Sequence, residues 1–240
     1  MGTTTLVQHG MSPQVKHGVT RWAVRETMGI VMLALMLFLA AGTVSWIAGW
    51  AMVIVMAGWV IATAIVVIPR YPELLAERVG PKKGAKKWDT ALAGPIGIAM
   101  MIMWIVAGLD LRYGWSSGIS PMAQIVAMLI VIAGYALVVW ATGVNAFFSQ
   151  VVRIQTERGH AVISSGPYRV VRHPAYVGMI LVVLSAPFML GSWWALIPGV
   201  ISAVLVIVRT ALEDKTLQAE LPGYVEYTQH TRYRLLPGVW

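Results

Sequence analysis

Residues 28–68, MGIVMLALMLFLAAGTVSWIAGWAMVIVMAGWVIATAIVVI, contain no Asp, Glu, Lys or Arg. The hydrocarbon core of a bilayer takes about 20 apolar residues per helix, so this run holds two crossings, with the Gly42-Thr43 neighbourhood as a minimal turn between them. Further uncharged runs at 91–109, 113–152 and 176–208 have room for one, one and two crossings. The chain is therefore expected to be all-α, a polytopic membrane protein of about six spans, the last pair short. Composition agrees: of 240 residues 58% are hydrophobic and 12% charged, and the mean hydropathy is +0.72. That is roughly half the charge of an ordinary soluble domain.

The formal charge of +8 is placed as a membrane protein places it. In the six-span reading Lys16, Arg21 and Arg25 lie before the first span, and Arg70, Arg78, Lys82, Lys83, Lys86 and Lys87 follow the second. Arg153, Arg158, Arg169 and Arg172 follow the fourth, and Arg209, Lys215, Arg232 and Arg234 the sixth. All share one side, and only Arg112 falls on the other. By the positive-inside rule both termini are cytoplasmic. Anionic lipid headgroups account for the basic loops, so no nucleic-acid partner is expected. With no cysteine there is no disulfide, thiol nucleophile or Cys-ligated zinc, and no metal site is expected. The first 25 residues, polar with scattered bases, do not read as a cleaved signal peptide.

The sequence divides into an N-terminal tail (1–25), a four-span region (26–150) and a C-terminal core (151–240). Within the second, the stretch 69–90 alternates acids and bases with Leu74, Leu75 and Val79 and predicts a short amphipathic helix at the interface, with Trp88 as an anchor. The polar stretch 110–121 is the one sizeable external loop, and the fourth span runs over 122–145. The basic, turn-rich segment 152–175 is longer than such an economical chain needs, which points to function. The hairpin 176–208 turns near Gly191-Ser192, and Pro187 and Pro198 are expected to kink its arms. Its second arm continues out of the membrane until Leu221-Pro222-Gly223 breaks the helix.

Polar chemistry gathers in this last third. A residue before proline avoids the α region, while proline suits a helix's first turn, so His173-Pro174 marks the start of the fifth span. His173 then sits at the helix mouth with Tyr176 one turn in, beside free backbone N–H groups and the positive dipole end, a natural place for a carboxylate. Arg209 and Glu213, four apart, share a face where the last span leaves the membrane, and Asp214 follows. The hairpin returns the chain to the side it left, so the two stretches converge. Each residue alone has a plainer reading: His173 as a cap, Tyr176 as an interfacial aromatic, Arg209 as a snorkelling anchor, Glu213 as half of a solvated ion pair.

Taken together, GPYRVVRHPAYVG (166–178), a short hairpin, and RTALEDKTLQAELPGYVEYTQHTRYRLLP (209–237) resemble the C-terminal half of the isoprenylcysteine carboxyl methyltransferase and phospholipid methyltransferase family of integral membrane enzymes. That family carries an RHPxYxG stretch, a membrane hairpin, an Arg followed four residues later by the first of two acids, then a Leu and a Tyr-rich tail. The resemblance covers about 152–237, and the first four spans share only hydropathy. The chain departs from the pattern in having Glu213-Asp214 for paired glutamates, Leu221-Pro222-Gly223-Tyr224 for a Phe-Gly turn before Tyr224 and Tyr227, and Arg153 where the family prefers an amide.

The resemblance implies methyl transfer from S-adenosylmethionine, with S-adenosylhomocysteine as product, to a lipophilic acceptor that reaches a pocket on the cytosolic face from the bilayer. It implies an adenosine-side wall at His160, Ala161, Val162 and Ile163. Tyr168, His173, Pro174, Ala175 and Tyr176 are implied around the methionine portion, and Glu213 with Asp214 as acidic cofactor contacts. Arg209 is implied as the substrate-orienting residue, able to hold an isoprenoid-type carboxylate as a planar fork. Two rival readings follow from other features. Sterol-reductase-like membrane enzymes using NADPH end in a similar stretch, RHPNYxGE, but here Met179 follows Gly178. A channel or transporter calls for ionisable residues inside the spans, and none of the six carries one.

Overall fold

The computed structural model describes residues 11–80 and 84–240. Positions 1–10 of the tail, and Lys82 and Lys83 of the basic loop, lie outside the described residues. The elements are α1 (Pro13–Ala41), α2 (Ile47–Val67), α3 (Pro72–Arg78), α4 (Lys87–Tyr113), α5 (Pro121–Val144), α6 (Pro174–Met189), α7 (Leu196–Glu220) and α8 (Tyr224–His230). Among the described residues there is no strand. Among the described residues five helices are long and apolar enough to cross a membrane; α6, expected as one of six spans, is apolar but only 16 residues long.

Helix α1 begins well before the expected start at residue 26. Ser12 accepts a hydrogen bond from the Val15 N–H at 3.3 Å and Pro13 fills the first helical position, so the polar residues 13–25 wind continuously into the span. This extension is docked on α3. A Cβ added at Gly18 would lie 2.3 Å from that of Ala76.

The stretch 69–90 also differs from expectation. Its helix is seven residues long, and Leu74 and Leu75 are fully buried against Trp22 and Val67 rather than turned to lipid. Trp88 belongs to α4. The second arm of the hairpin continues as expected: its short apolar part and its polar continuation form one 25-residue helix, α7, that ends at Glu220. Pro187 lies inside α6, but Pro198 is the third residue of α7, where its missing N–H costs no intrahelical bond and supplies no reason for a kink.

Lipid gives no hydrophobic drive for helices to associate, so close backbone approach has to supply the packing, and small residues mark the crossings. A Cβ on Gly178 would come within 2.4 Å of the Gly134 carbonyl oxygen, which seats α6 on α5. Gly199 meets the Val183 carbonyl (α6–α7), Gly108 the Leu37 carbonyl (α1–α4) and Gly143 the Val66 side chain (α2–α5). The short α6 is thereby shielded by its neighbours, with Gly178, Val182, Val183 and Ala186 buried. Large apolar side chains such as Leu39, Ile47, Ile54 and Ile65 face outward.

At the end of the bundle that carries Arg112, Asp110 is not part of a solvated loop. It is buried in α4 and accepts from the Ser116 N–H (2.6 Å) and from the Ser116 and Ser192 hydroxyls, tying α4 to the α6–α7 turn. The residues singled out from the sequence as a candidate site lie towards the opposite end.

Candidate active site

The segment between α5 and α6 is long but tightly folded. Gln155, fully buried, donates to the Phe147 carbonyl at 2.7 Å and accepts from Arg158 at 2.5 Å. Gly159, with φ 65°, then reverses the chain into 160–163. The His160 ring packs on Phe147 at 4.7 Å, and its Nδ1 accepts the Gln155 N–H at 3.3 Å. Burial, with Arg153 and Arg158 adding to it, pulls the His160 pKa down to about 4, so the ring is a neutral acceptor. Burial pushes the Tyr168 hydroxyl up, and it accepts from the Asn145 amide at 3.1 Å.

His173 precedes α6 as the cap, as its X-Pro context dictates, and Tyr176 follows one turn later. Their rings stack at 5.8 Å and 13°. The Tyr176 hydroxyl donates to Glu213, and the Arg209 guanidinium lies over the Tyr176 ring at 5.4 Å. The α6–α7 hairpin thus brings His173, Tyr176, Arg209 and Glu213 together, as the sequence led us to expect.

Asp214 points elsewhere. It is fully buried and accepts from Arg172 Nε (2.7 Å) and Nη2 (3.0 Å), from Arg234 (2.8 Å), from Gln218 (2.7 Å) and from Tyr224 (3.1 Å), with His173 Nε2 at 3.2 Å. Arg172 Nη1 also donates to the carbonyls of Thr231 and Arg232, and Tyr227 donates to the Tyr168 carbonyl at 2.6 Å. Around this one carboxylate the loop, α7 and the C-terminal tail are pinned together. Burial and the neighbouring Asp214 charge push the Tyr224 hydroxyl up and keep it protonated as a donor.

Arg209 has a partner that sequence reasoning missed. Its Nε donates to Asp89 at 2.7 Å and its Nη2 to the Gln150 carbonyl at 2.8 Å. Asp89 sits fully buried in the first turn of α4, and its other oxygen accepts the Val152 N–H at 2.8 Å. The available signal was a lone acid at the start of a span, but in sequence it merges with the basic loop.

A cavity of about 520 Å³ opens among these groups, within the range of small-molecule sites. Of the residues singled out from sequence, His160, Ala161, Val162, Ile163, Tyr168, His173, Ala175, Tyr176, Arg209 and Glu213 line it; Pro174 and Asp214 do not. The first half of the chain contributes Trp22, Glu26, Trp59, Thr63 and Arg78 to the lining, and α5 adds Tyr135. None of these was singled out from the sequence, because nothing local marks them. A second, largely apolar cavity of about 690 Å³ lies between α2 and α5. Trp59 and Tyr135, stacked at 5.1 Å, belong to both cavities and form the partition between them.

Residues 122–221 match the model of a family described as phospholipid methyltransferase. That segment starts one helix earlier than the motif resemblance and stops before the tail tyrosines. Comparison with curated proteins returns no match. Among solved structures the chain is similar to a eukaryotic intramembrane Ras methyltransferase, isoprenylcysteine carboxyl methyltransferase, determined without a monobody. The TM-score is 0.53 at 16% identity, over 95% of this chain and 99% of that one.

Proposed function

We propose, from a family match and a fold that together indicate an integral membrane methyltransferase, that this chain transfers a methyl group from S-adenosylmethionine to a lipophilic acceptor. The observation that carries this reading is the convergence of the 160–163 wall, His173, Tyr176, Arg209 and Glu213 on one cavity of about 520 Å³. These groups suit such a cofactor. Ala161, Val162 and Ile163 give an apolar wall for a purine. The Glu213 carboxylate, already held by the Tyr176 hydroxyl, has acceptor capacity left for an ammonium or a ribose hydroxyl.

S-adenosylmethionine brings a methyl group already activated on a sulfonium. The protein's share of the work is then alignment and exclusion of water. Arg209, braced by Asp89 and Gln150, keeps Nη1 clear of both partners and stacks on Tyr176; it orients the acceptor. A carboxylate acceptor is already nucleophilic and needs no general base. The stacked Trp59 and Tyr135 separate the cavity from the α2–α5 groove, the lateral route by which an apolar chain arrives from the bilayer. By the positive-inside rule the basic loops favour a cytosolic side for both termini and for the residues 152–175 and 209–214, where a charged soluble cofactor is at hand.

The test is calorimetric titration of the purified protein with S-adenosylhomocysteine, for wild type, His173→Ala and Glu213→Ala. Binding by wild type that is weakened in both variants supports the reading. Absence of binding, or binding untouched by both changes, overturns it.

A further inference from the structure

Arg78, the last residue of α3, is 8% exposed and lines the cavity from outside the matched segment 122–221. Its guanidinium packs over the Phe148 ring at 5.3 Å. Among the described residues neither its Nε nor its Nη2 has a hydrogen-bond partner. Those two N–H groups form the side-on face of the guanidinium, the fork that grips a carboxylate or phosphate with two parallel bonds. On Arg209 the same face is filled by Asp89 and Gln150. On Arg78 it is buried and, among the described residues, without a partner.

The nearby carboxylates do not close it. Glu26 is taken by Arg25, and Glu77 receives Arg153 and the Ser149 hydroxyl on one oxygen. The other Glu77 oxygen is itself unpartnered. Burial pulls the Arg78 pKa down to about 10, which leaves it charged at neutral pH. The indole N–H groups of Trp22 and Trp59, on the same cavity wall, are also unpartnered. A buried cation with an empty fork is costly in the empty protein, and a wall rich in idle donors calls for an acceptor-only ligand.

We infer that Arg78 is a second anion-binding point of the cavity, gripping through Nε and Nη2 the carboxylate or phosphate of an anionic lipophilic methyl acceptor, whose chain lies along Trp22, Val60 and Phe148. This rests on the methyltransferase reading and narrows its acceptor to an anionic amphiphile. The cofactor is assigned elsewhere, because the residues proposed above to hold it all belong to the C-terminal part of the chain, 160–213.

The experiment uses the full chain in neutral-detergent micelles, as wild type, Arg78→Lys and Arg78→Met, titrated with dodecyl phosphate, dodecanoate, 1-dodecanol, inorganic phosphate and, separately, S-adenosylhomocysteine. Wild type is expected to bind both alkyl anions at least about tenfold more tightly than 1-dodecanol or inorganic phosphate. Arg78→Met loses that preference, and Arg78→Lys, a charge without a fork, loses most of it. Affinity for S-adenosylhomocysteine stays within about twofold, and the ligand-free Arg78→Met protein melts no lower than wild type, because an idle buried charge has been removed.

Unchanged alkyl-anion binding in Arg78→Met overturns the inference. So does inorganic phosphate binding as tightly as dodecyl phosphate, which marks a free-phosphate site, and so does a fall in S-adenosylhomocysteine affinity, which assigns the fork to the cofactor. A lower melting temperature for Arg78→Met makes Arg78 a structural partner of Glu77 and overturns it too. Failure of wild type to bind S-adenosylhomocysteine removes the methyltransferase reading alone, since the alkyl-anion titrations use no cofactor.

Discussion

Asp214 holds Arg172 with both carboxylate oxygens, at 2.7 Å to Nε and 3.0 Å to Nη2, and the acid is completely buried while its neighbour Glu213 faces the cavity. Two adjacent acids on one helix point about 100° apart, so they face different surroundings. One closes an ion cluster, and the other is left for a ligand.

Asp214→Asn is expected to destabilise the protein by roughly 3–5 kcal/mol, because Arg172 keeps its buried charge and loses its counter-charge. Glu213→Gln removes a charge only from the cavity wall, so its melting temperature stays near wild type while S-adenosylhomocysteine affinity falls about tenfold or more. Thermal unfolding and calorimetry on the two variants, run side by side, check the division of labour. Equal effects on both measurements would refute it.

Asp89→Asn takes away the charge that braces Arg209 Nε, 120 residues further along the chain. A loosened Arg209 misplaces the acceptor, and a misplacement on the order of 1 Å costs about a hundredfold in rate. Methyl transfer is expected to fall on that scale with S-adenosylhomocysteine affinity little changed, which single-turnover assays and calorimetry separate.

Gly178→Val places side-chain atoms where a Cβ alone would sit 2.4 Å from the Gly134 carbonyl. Overpacking of this kind typically costs about 1–3 kcal/mol, and here it levers α6 off α5. Lower thermal stability is expected, together with weakened cofactor binding, because His173 and Tyr176 ride on α6. Gly58→Val, at a glycine with nothing within 4 Å of an added Cβ, is the control expected to melt like wild type.

His160 supplies a pH dependence. Burial with nearby Arg153 and Arg158 lowers its pKa from 6.5 to about 4. Above 6.5 the ring is neutral whether the loop is folded or open, and its contribution is complete. As pH falls from 6.5 towards 4 only the open form takes up the proton, so the loop weakens and S-adenosylhomocysteine affinity declines. Titrations across that window should show the decline in wild type and a flatter profile in His160→Phe.

The chain's hydropathy and turn chemistry were legible locally, and so were most elements. The X-Pro step at His173-Pro174 announced the start of α6, and Leu221-Pro222-Gly223 announced the end of α7. Local reading failed at α1 and α3. Polar residues 13–25 look like a tail until α3 gives them something to pack against, and Leu74 and Leu75 look lipid-facing until Trp22 covers them.

The site divides in the same way. Arg209, Glu213, His173 and Tyr176 could be grouped from sequence because a two-helix hairpin brings its own ends together whatever surrounds it. Sequence alone also determined that the chain crosses the membrane and that its bases collect at one end, since both follow from composition summed along the chain. Only the tertiary structure decided which of Glu213 and Asp214 faces the cavity, that Asp89 and the Gln150 carbonyl share the fork of Arg209, and that the fork of Arg78 has no partner among the described residues. Those outcomes depend on which helices meet across the bundle, and a pairing 120 residues apart leaves no trace in the spacing of either partner.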